Sequence, residues 1–349
     1  MGSGDVIANL RALADRTSTS SGAQRVAWGP IWREAREWFG DKVAKIGLEV
    51  STDAAGNNWV TLPGASPKTV IVGGHLDSVP NGGWLDGALG ALAGLEALRM
   101  LAGTSLPVTL TVVDWADEEG ARFGRSLLGS SAAGGSLVVD EVRELTDKQG
   151  IRLEDALRDN GVDLDGMLDA HHALKAMDAR AYLELHIEQG PVLESMNRPA
   201  GVVLGTFGVE RHLLRFIGQA AHSGSTPIPM RRDAFLAAAE TALACREIAT
   251  RHSAPGAGVV CTCGVVKVEP GIVTAVPGVC EMSLDQRALD GPVLARMLDE
   301  ARQAAETAAR ANRVAVEWHR LWRIEPRPFD PRLVELCAEA VQEVTGDAP

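Results

Sequence analysis

No Lys/Arg-rich run occurs anywhere in the 349 residues, and the formal net charge is −12, which argues against nucleic acid or an anionic membrane surface as a partner. Long apolar runs are missing too: none approaches the roughly eighteen residues that a membrane span needs. The first residues, Met1-Gly2-Ser3-Gly4-Asp5-Val6, have neither the basic region nor the apolar core of a signal peptide. Val6 stands where a myristoylation signal requires Ser or Thr. These absences predict a cytoplasmic protein. The five cysteines are an odd number with no C-x-x-C spacing, so neither a disulfide framework nor a zinc ribbon is indicated. Cys261 and Cys263 fall on one face of a predicted strand, a spacing open to a thiolate metal site, but small buried hydrophobes in reduced form is the reading for all five. The chain also lacks G-x-S-x-G and G-x-G-x-x-G, which sets aside a serine hydrolase and a dinucleotide-binding domain. It shows no internal repeat and no low-complexity segment.

What is present is ordinary in bulk and specific in detail. Hydrophobic content of 46% and charged content of 23% belong to a globular protein long enough for two domains. Up to about residue 205, helices alternate with short apolar strands. Helical periodicity runs over 28–46 with Gly47 as C-cap, strands fall near 49–52 and 59–62 around the turn Ala55-Gly56-Asn57-Asn58, and 87–101 reads as a small-residue helix. The middle differs: strand 211–218, helix 232–250, strands 258–268 and 279–287, helix 291–311 and strand 314–319. That order is β-α-β-β-α-β, a split βαβ sandwich. Pro326, Pro328 and Pro331 mark a linker before a last helix at 333–344.

Two acidic islands carry the chemistry. Gly73-Gly74-His75-Leu76-Asp77, with Asp86-Gly87 following, and Trp115-Ala116-Asp117-Glu118-Glu119-Gly120 each come after a β-branched run, at 69–72 and 108–113, that reads as a buried strand. Imidazole and carboxylate groups at strand ends are what a divalent metal site needs. A His, a shared Asp eleven residues on and a Glu-Glu pair point to a two-metal hydrolase in which one Glu binds metal and the other moves protons. Asp77, two residues past His75, is placed to accept from the imidazole and fix its tautomer. A third cluster, Glu184-Leu185-His186-Ile187-Glu188-Gln189-Gly190, puts Glu184, His186 and Glu188 on one face if a strand continues there, making His186 a candidate third ligand. Any one of these residues alone would more often cap a turn or sit on a solvated loop.

With these clusters in view, the chain resembles the hydantoinase/carbamoylase-type amidases: N-carbamoyl-L-amino-acid hydrolases, allantoate amidohydrolases and β-ureidopropionases, within the aminoacylase-like dinuclear metallohydrolases. The motifs occur in order over nearly the whole length: Gly74-His75-Leu76-Asp77-Ser78-Val79-Pro80-Asn81-Gly82-Gly83, Asp86-Gly87-Ala88-Leu89-Gly90, Asp117-Glu118-Glu119-Gly120-Ala121-Arg122-Phe123, His186-Ile187-Glu188-Gln189-Gly190-Pro191, Ala221-His222-Ser223-Gly224-Ser225-Thr226-Pro227 with Arg231-Arg232-Asp233-Ala234, and Asp285-Gln286-Arg287. The resemblance implies an α/β fold: a mixed-sheet metallohydrolase catalytic domain (1–208 and 321–349) with an inserted ferredoxin-like (βαββαβ) lid and dimerisation domain (209–320). It implies two divalent ions (Mn, Zn, Co or Ni), one held by His75, Asp86 and His186, the other by Asp86 and Glu119. Glu118 would be the general base and His222 the stabiliser of the oxyanion. Gln189 and Arg287 would bind a small carboxylate-bearing ureido substrate, in a homodimer formed through the lid. The implied reaction is hydrolysis of a linear amide or ureido C–N bond, foremost N-carbamoyl-L-amino acid to L-amino acid, carbon dioxide and ammonia.

Two departures from the pattern stand out. Thr274 occupies the place of the usual substrate-contacting Asn in Pro270-Gly271-Ile272-Val273-Thr274-Ala275-Val276-Pro277-Gly278, offering one hydroxyl in place of an amide. The sequence ends at Pro349, ahead of the Ser-Gly-Ala-Gly-His-Asp segment with the last metal ligand, so a weakened second metal site is expected. The rival readings are a dinuclear aminopeptidase or N-deacylase of the same superfamily and, from another class, a non-catalytic metal-binding dimer.

Overall fold

The computed structural model describes residues 3–253 and 258–348. Its contacts divide the chain into two units, one ending at Val192 and the other beginning at Leu193.

A five-stranded mixed sheet organises the first unit, in the order Val50–Thr52, Asn58–Leu62, Thr109–Asp114, Thr69–Gly74, Ala179–Glu184. The last three strands are parallel, with Val72 opposite both Val112 and Leu183. The β-branched runs of the two central strands are buried on both faces, as parallel strands usually are. Val112 packs with Leu10, Phe39, Val43, Leu95 and Leu98 on one side, whereas Val113 and Ile71 join Trp59 on the other. Each such side chain removed from water contributes about 1.5–3 kcal/mol. The helix Pro30–Lys45 starts with Pro at its first position and turns its buried Trp32, Ala35, Trp38, Phe39 and Val43 to the core. The helix Ala88–Leu101 lies on the two central strands. Its Gly90 lets the backbones touch, because a Cβ there would come within 2.5 Å of the Gly73 carbonyl.

Antiparallel pairing builds the second unit. Its sheet runs Val260–Thr262, Val279–Ala288, Gly208–Ile217, Ala315–Ile324, and Val266–Glu269 also pairs with Val279–Ala288. The single strand expected at 258–268 is therefore two pieces, interrupted around Gly264, a residue that weakens a strand interior. The helices Ala234–His252 and Gly291–Asn312 pack on each other and on the sheet. Leu214, Phe216, Met282, Leu284, Ala237 and Met297 form the core between them. Asp233 caps the first helix, accepting from the Phe235 and Leu236 amides. Among the described residues no helix is long and apolar enough to cross a membrane.

Candidate functional site

Three parallel strands of the first unit end side by side: Gly74 lies opposite Asp114, and Gly73 opposite Glu184. Ligand sites in open sheets form beyond such carboxyl ends. From these ends run His75-Leu76-Asp77, Trp115 to Glu119, and Leu185-His186. The strand stops at Glu184, so His186 stands in the following loop and not on a strand face with Glu184 and Glu188 as expected. Alternation in the sequence does not reveal where backbone pairing ceases.

His75 is 3% exposed. Its Nδ1 lies 3.1 Å from the Asp77 carbonyl, which can only accept, so a neutral His75 carries its proton on Nδ1, and Nε2 faces Glu118 Oε2 at 3.6 Å. The Asp77 carboxylate does two further things. One oxygen stands 3.5 Å from the His75 ring, and the two oxygens accept from the backbone amides of Glu118 and Glu119 at 3.2 and 3.1 Å. Asp77 thus clamps the Glu-Glu loop onto the histidine loop. Gly87, at φ 64°, lies against the ring, where a Cβ would come within 2.4 Å of His75. Burial works against a charge on His75, but Asp77 first and then Glu118 and Glu119 overcome it and push the imidazole up to about 10. Burial raises the carboxyls of Glu118 and Glu119, opposed by His75 and reinforced by their acidic neighbours.

The second histidine repeats the pattern in a more open setting. His186 Nδ1 lies 2.6 Å from the Ile187 carbonyl, and its Nε2 is 3.4 Å from Asp86 Oδ1. The other oxygen of Asp86 accepts from the Gln189 side-chain amide at 2.7 Å. The structure thus pairs His75 with Glu118 and His186 with Asp86, with Glu119 close enough to feel both His75 and Asp86. Among the described residues, no three His, Cys, Asp or Glu side chains converge as a metal-binding group. The donor chemistry nevertheless suits a divalent cation: two imidazoles whose Nδ1 is tied to a backbone carbonyl and whose Nε2 faces a carboxylate, amid excess negative charge.

Two residues behind this site escaped the sequence reading. Arg25 is fully buried, with Nε donating to the Leu76 carbonyl at 2.7 Å and its backbone amide to Ser78 Oγ at 3.1 Å. Burial lowers its guanidinium from the usual range, opposed by Asp77, Asp86 and Asp114. Asp114, also fully buried, accepts from the Leu76 amide at 2.8 Å and from Arg36 Nε at 2.7 Å. Together they hold the loop that carries His75 and Asp77. The signal was there to see: a charge within an apolar run, as in Val112-Val113-Asp114-Trp115, is costly unless paired.

In the second unit, His222 and Thr274 are neighbours. The two-residue strand Ala221–His222 pairs with Ala275–Val276, and the Ser223 amide donates to the Thr274 carbonyl at 2.9 Å. The Gly224 amide donates to His222 Nδ1 at 3.1 Å, so a neutral His222 keeps its proton on Nε2. Arg231 secures this loop, donating to the carbonyls of Thr226 at 2.9 Å and Ser223 at 2.6 Å. Arg287 Nε donates to Asp285 Oδ1 at 2.8 Å, and Arg211 Nε takes the other oxygen at 2.7 Å.

Comparison with known proteins bears on the family of the whole chain. Residues 71–349 match the model of peptidase family M20/M25/M40. An N-carbamoyl-L-amino acid amidohydrolase of Geobacillus stearothermophilus is 36% identical over 94% of this chain and 78% of its own length. The allantoate amidohydrolase of Escherichia coli K12 is 32% identical over 91% of this chain and 78% of its own. Among solved structures, a hydantoinase/carbamoylase family amidase from Burkholderia ambifaria superposes with a TM-score of 0.88 at 33% identity, covering 99% of this chain and 84% of that one.

Proposed function

Since this chain belongs to peptidase family M20/M25/M40, among the hydantoinase/carbamoylase-type amidases, we propose that it hydrolyses the C–N bond of a linear ureido or amide substrate, foremost an N-carbamoyl-L-amino acid. The observation that carries this reading is the pairing of His75 with Glu118 and of His186 with Asp86 at the adjoining ends of three parallel strands.

His75, Asp86, Glu119 and His186 would hold two divalent ions from the set Mn, Zn, Co and Ni, all of which accept nitrogen and oxygen ligands. When bound, such ions polarise the substrate carbonyl and make a water acidic enough to attack near neutral pH. The rest falls to the protein. Glu118 accepts the proton of the attacking water, and its raised carboxyl lets it return that proton to the departing nitrogen. Asp77 keeps Glu118 in place through the backbone and keeps His75 in one tautomer. His222, with its proton on Nε2, is a donor suited to an oxyanion, and Arg287 to a carboxylate. Gln189 and Thr274 complete the proposed substrate contacts. Residues 209–320 are taken as a ferredoxin-like lid through which two copies dimerise, in a cytoplasmic enzyme.

The test is a substrate panel on metal-reconstituted protein: N-carbamoyl-L-amino acids, allantoate, and N-acetyl amino acids, with bound metal measured alongside. Turnover led by the N-carbamoyl compounds is expected. Preference for N-acetyl substrates would make the chain a deacylase, and metal uptake without turnover of any of them would refute the catalytic reading. In Arg287→Ala, KM should rise roughly 10- to 100-fold for carboxylate-bearing substrates, since a charge-assisted hydrogen bond is worth about 1.5–3 kcal/mol. Equal losses on neutral analogues would remove Arg287 from that role.

A further inference from the structure

Arg287, proposed to bind the substrate carboxylate, does not stand alone on its sheet. Leu214, Phe216, Met282 and Leu284 face the helix-covered core of the second unit, so alternation turns Arg211, Asp285 and Arg287 to the other face. Asp285 lies directly opposite Arg211 across the strands Val279–Ala288 and Gly208–Ile217. Both guanidiniums bind it: Arg287 Nε donates to Oδ1 at 2.8 Å and Arg211 Nε to Oδ2 at 2.7 Å. On its other side Arg211 meets Trp322. The strand Ala315–Ile324 has a bulge between Arg320 and Trp322, which sets Trp322 rather than Leu321 opposite Arg211. The Arg211 guanidinium lies over the Trp322 ring, 5.4 Å from its centroid.

We propose that Arg211 is a positioning residue for substrate binding: by neutralising Asp285 it leaves the charge of Arg287 to the substrate carboxylate. The inference rests on the reading in which Arg287 pairs with that carboxylate. Arg287 and Asp285 alone would form a closed ion pair, and a substrate carboxylate would have to compete with Asp285 for one guanidinium. Two guanidiniums on one carboxylate leave one positive charge uncompensated. Burial would raise the Asp285 carboxyl, but hydrogen bonds from Arg287 and Arg211 hold it below its usual value, so it stays ionised between them. A guanidinium held through Nε keeps its outer Nη1–Nη2 edge for the two parallel hydrogen bonds that a carboxylate accepts. Trp322 restrains Arg211 without cancelling its charge, because an aromatic face attracts a cation but carries no net charge itself. Both arginines are half-buried, so their fields are only partly screened by water.

The experiment compares KM and kcat of the metal-reconstituted full chain on an N-carbamoyl-L-amino acid and on its neutral carboxamide. In Arg211→Gln, KM for the carboxylate is expected to rise about 3- to 10-fold, the scale of losing one half-buried charge beside another, with clearly smaller changes in kcat and in KM for the carboxamide. Arg211→Lys, which keeps the charge, should recover most of that loss. Combining Arg211→Gln with Asp285→Asn should do the same, because the asparagine carbonyl still accepts from Arg287 Nε but no longer competes for its charge. Asp285→Asn alone should lower KM for the carboxylate, a gain that damage to the fold does not imitate, and it decides the matter even where Arg211→Gln folds poorly. Equal losses on both substrates in Arg211→Gln, a double variant worse than the single one, or a higher KM in Asp285→Asn would each overturn the inference. Arg287→Ala keeps two failures apart. A loss confined to the carboxylate there, with none in Arg211→Gln, overturns the role of Arg211 alone, whereas equal losses on both substrates there overturn the reading of Arg287 and this inference with it.

Discussion

His75 in the first unit and His212 in the second are both buried, 3% and 1% exposed, and both stand beside a carboxylate. They are nevertheless driven in opposite directions. Burial disfavours the charge on each, but around His75 the carboxylates of Asp77, Glu118 and Glu119 win and push it up to about 10. Around His212, burial prevails over the 2.9 Å contact with Glu210, and Arg302 and Arg320 add to the lowering. His212 Nδ1 also has no partner among the described residues, so a proton there would be buried without an acceptor. A lone histidine–carboxylate pair is a structural device, whereas a cluster with surplus negative charge suits a cation, and that is the difference between the two settings.

The sharpest way to break this comparison is to delete one charge from each cluster. Glu118→Gln should lower kcat by about 10²–10⁴-fold, the usual worth of a general base, while metal measured by elemental analysis stays with the protein. Glu210→Gln should leave kcat of the folded enzyme within about twofold and cost about 1–3 kcal/mol of stability, since it disturbs only a buried hydrogen bond. Metal lost from Glu118→Gln with its rate preserved would exchange the roles of Glu118 and Glu119.

A smaller effect is expected from the clamp. Asp77→Asn keeps the size but presents amide donors where the Glu118 and Glu119 amides need acceptors. Metal affinity, followed by competition with a chelator, should weaken about 10- to 100-fold, the typical cost of losing a residue that orients a ligand. Unchanged affinity would mean that His75 and the Glu-Glu loop hold their positions without Asp77.

The mildest readout is pH, and there the two histidines should oppose each other. In metal-stripped protein His75 is raised above its unfolded value of about 6.5, so its contribution is complete below that pH and is lost as pH rises through about 10. His212 is depressed, so its contribution is present above about pH 6.5 and is lost as pH falls through its lowered value. Urea midpoints measured across this range should fall on both sides. His75→Asn should flatten the alkaline limb and His212→Asn the acid one; a limb indifferent to its own variant would detach that histidine from it.

How far these features were readable from sequence depended on whether they are local. The β-branched runs ending at Gly74 and Asp114 and the acidic islands after them are contiguous, and their spacing announces strand ends with candidate ligands. Several long helices were legible from apolar spacing within one segment, but the helix Ser3–Thr17 was not anticipated, and Asp233, inside the expected helix 232–250, is instead its cap. Non-local matters were hidden. Arg25 reaches the His75 loop across fifty residues of chain, and nothing near it marks it as a support. The hydrogen-bond partner that fixes the His222 tautomer, the Gly224 amide, depends on a turn geometry that side-chain identities do not disclose.

Gly87 carries a consequence for anyone reshaping this protein. Its backbone has the sign that side chains resist, and the space its Cβ would need is taken by the His75 ring. Two independent reasons close the same position, so a saturation library at residue 87 should return glycine almost alone. Thr274, exposed beside His222, carries neither restriction. Position 274 therefore tolerates diversity that position 87 does not, with Gly87 kept constant as the backstop of the histidine.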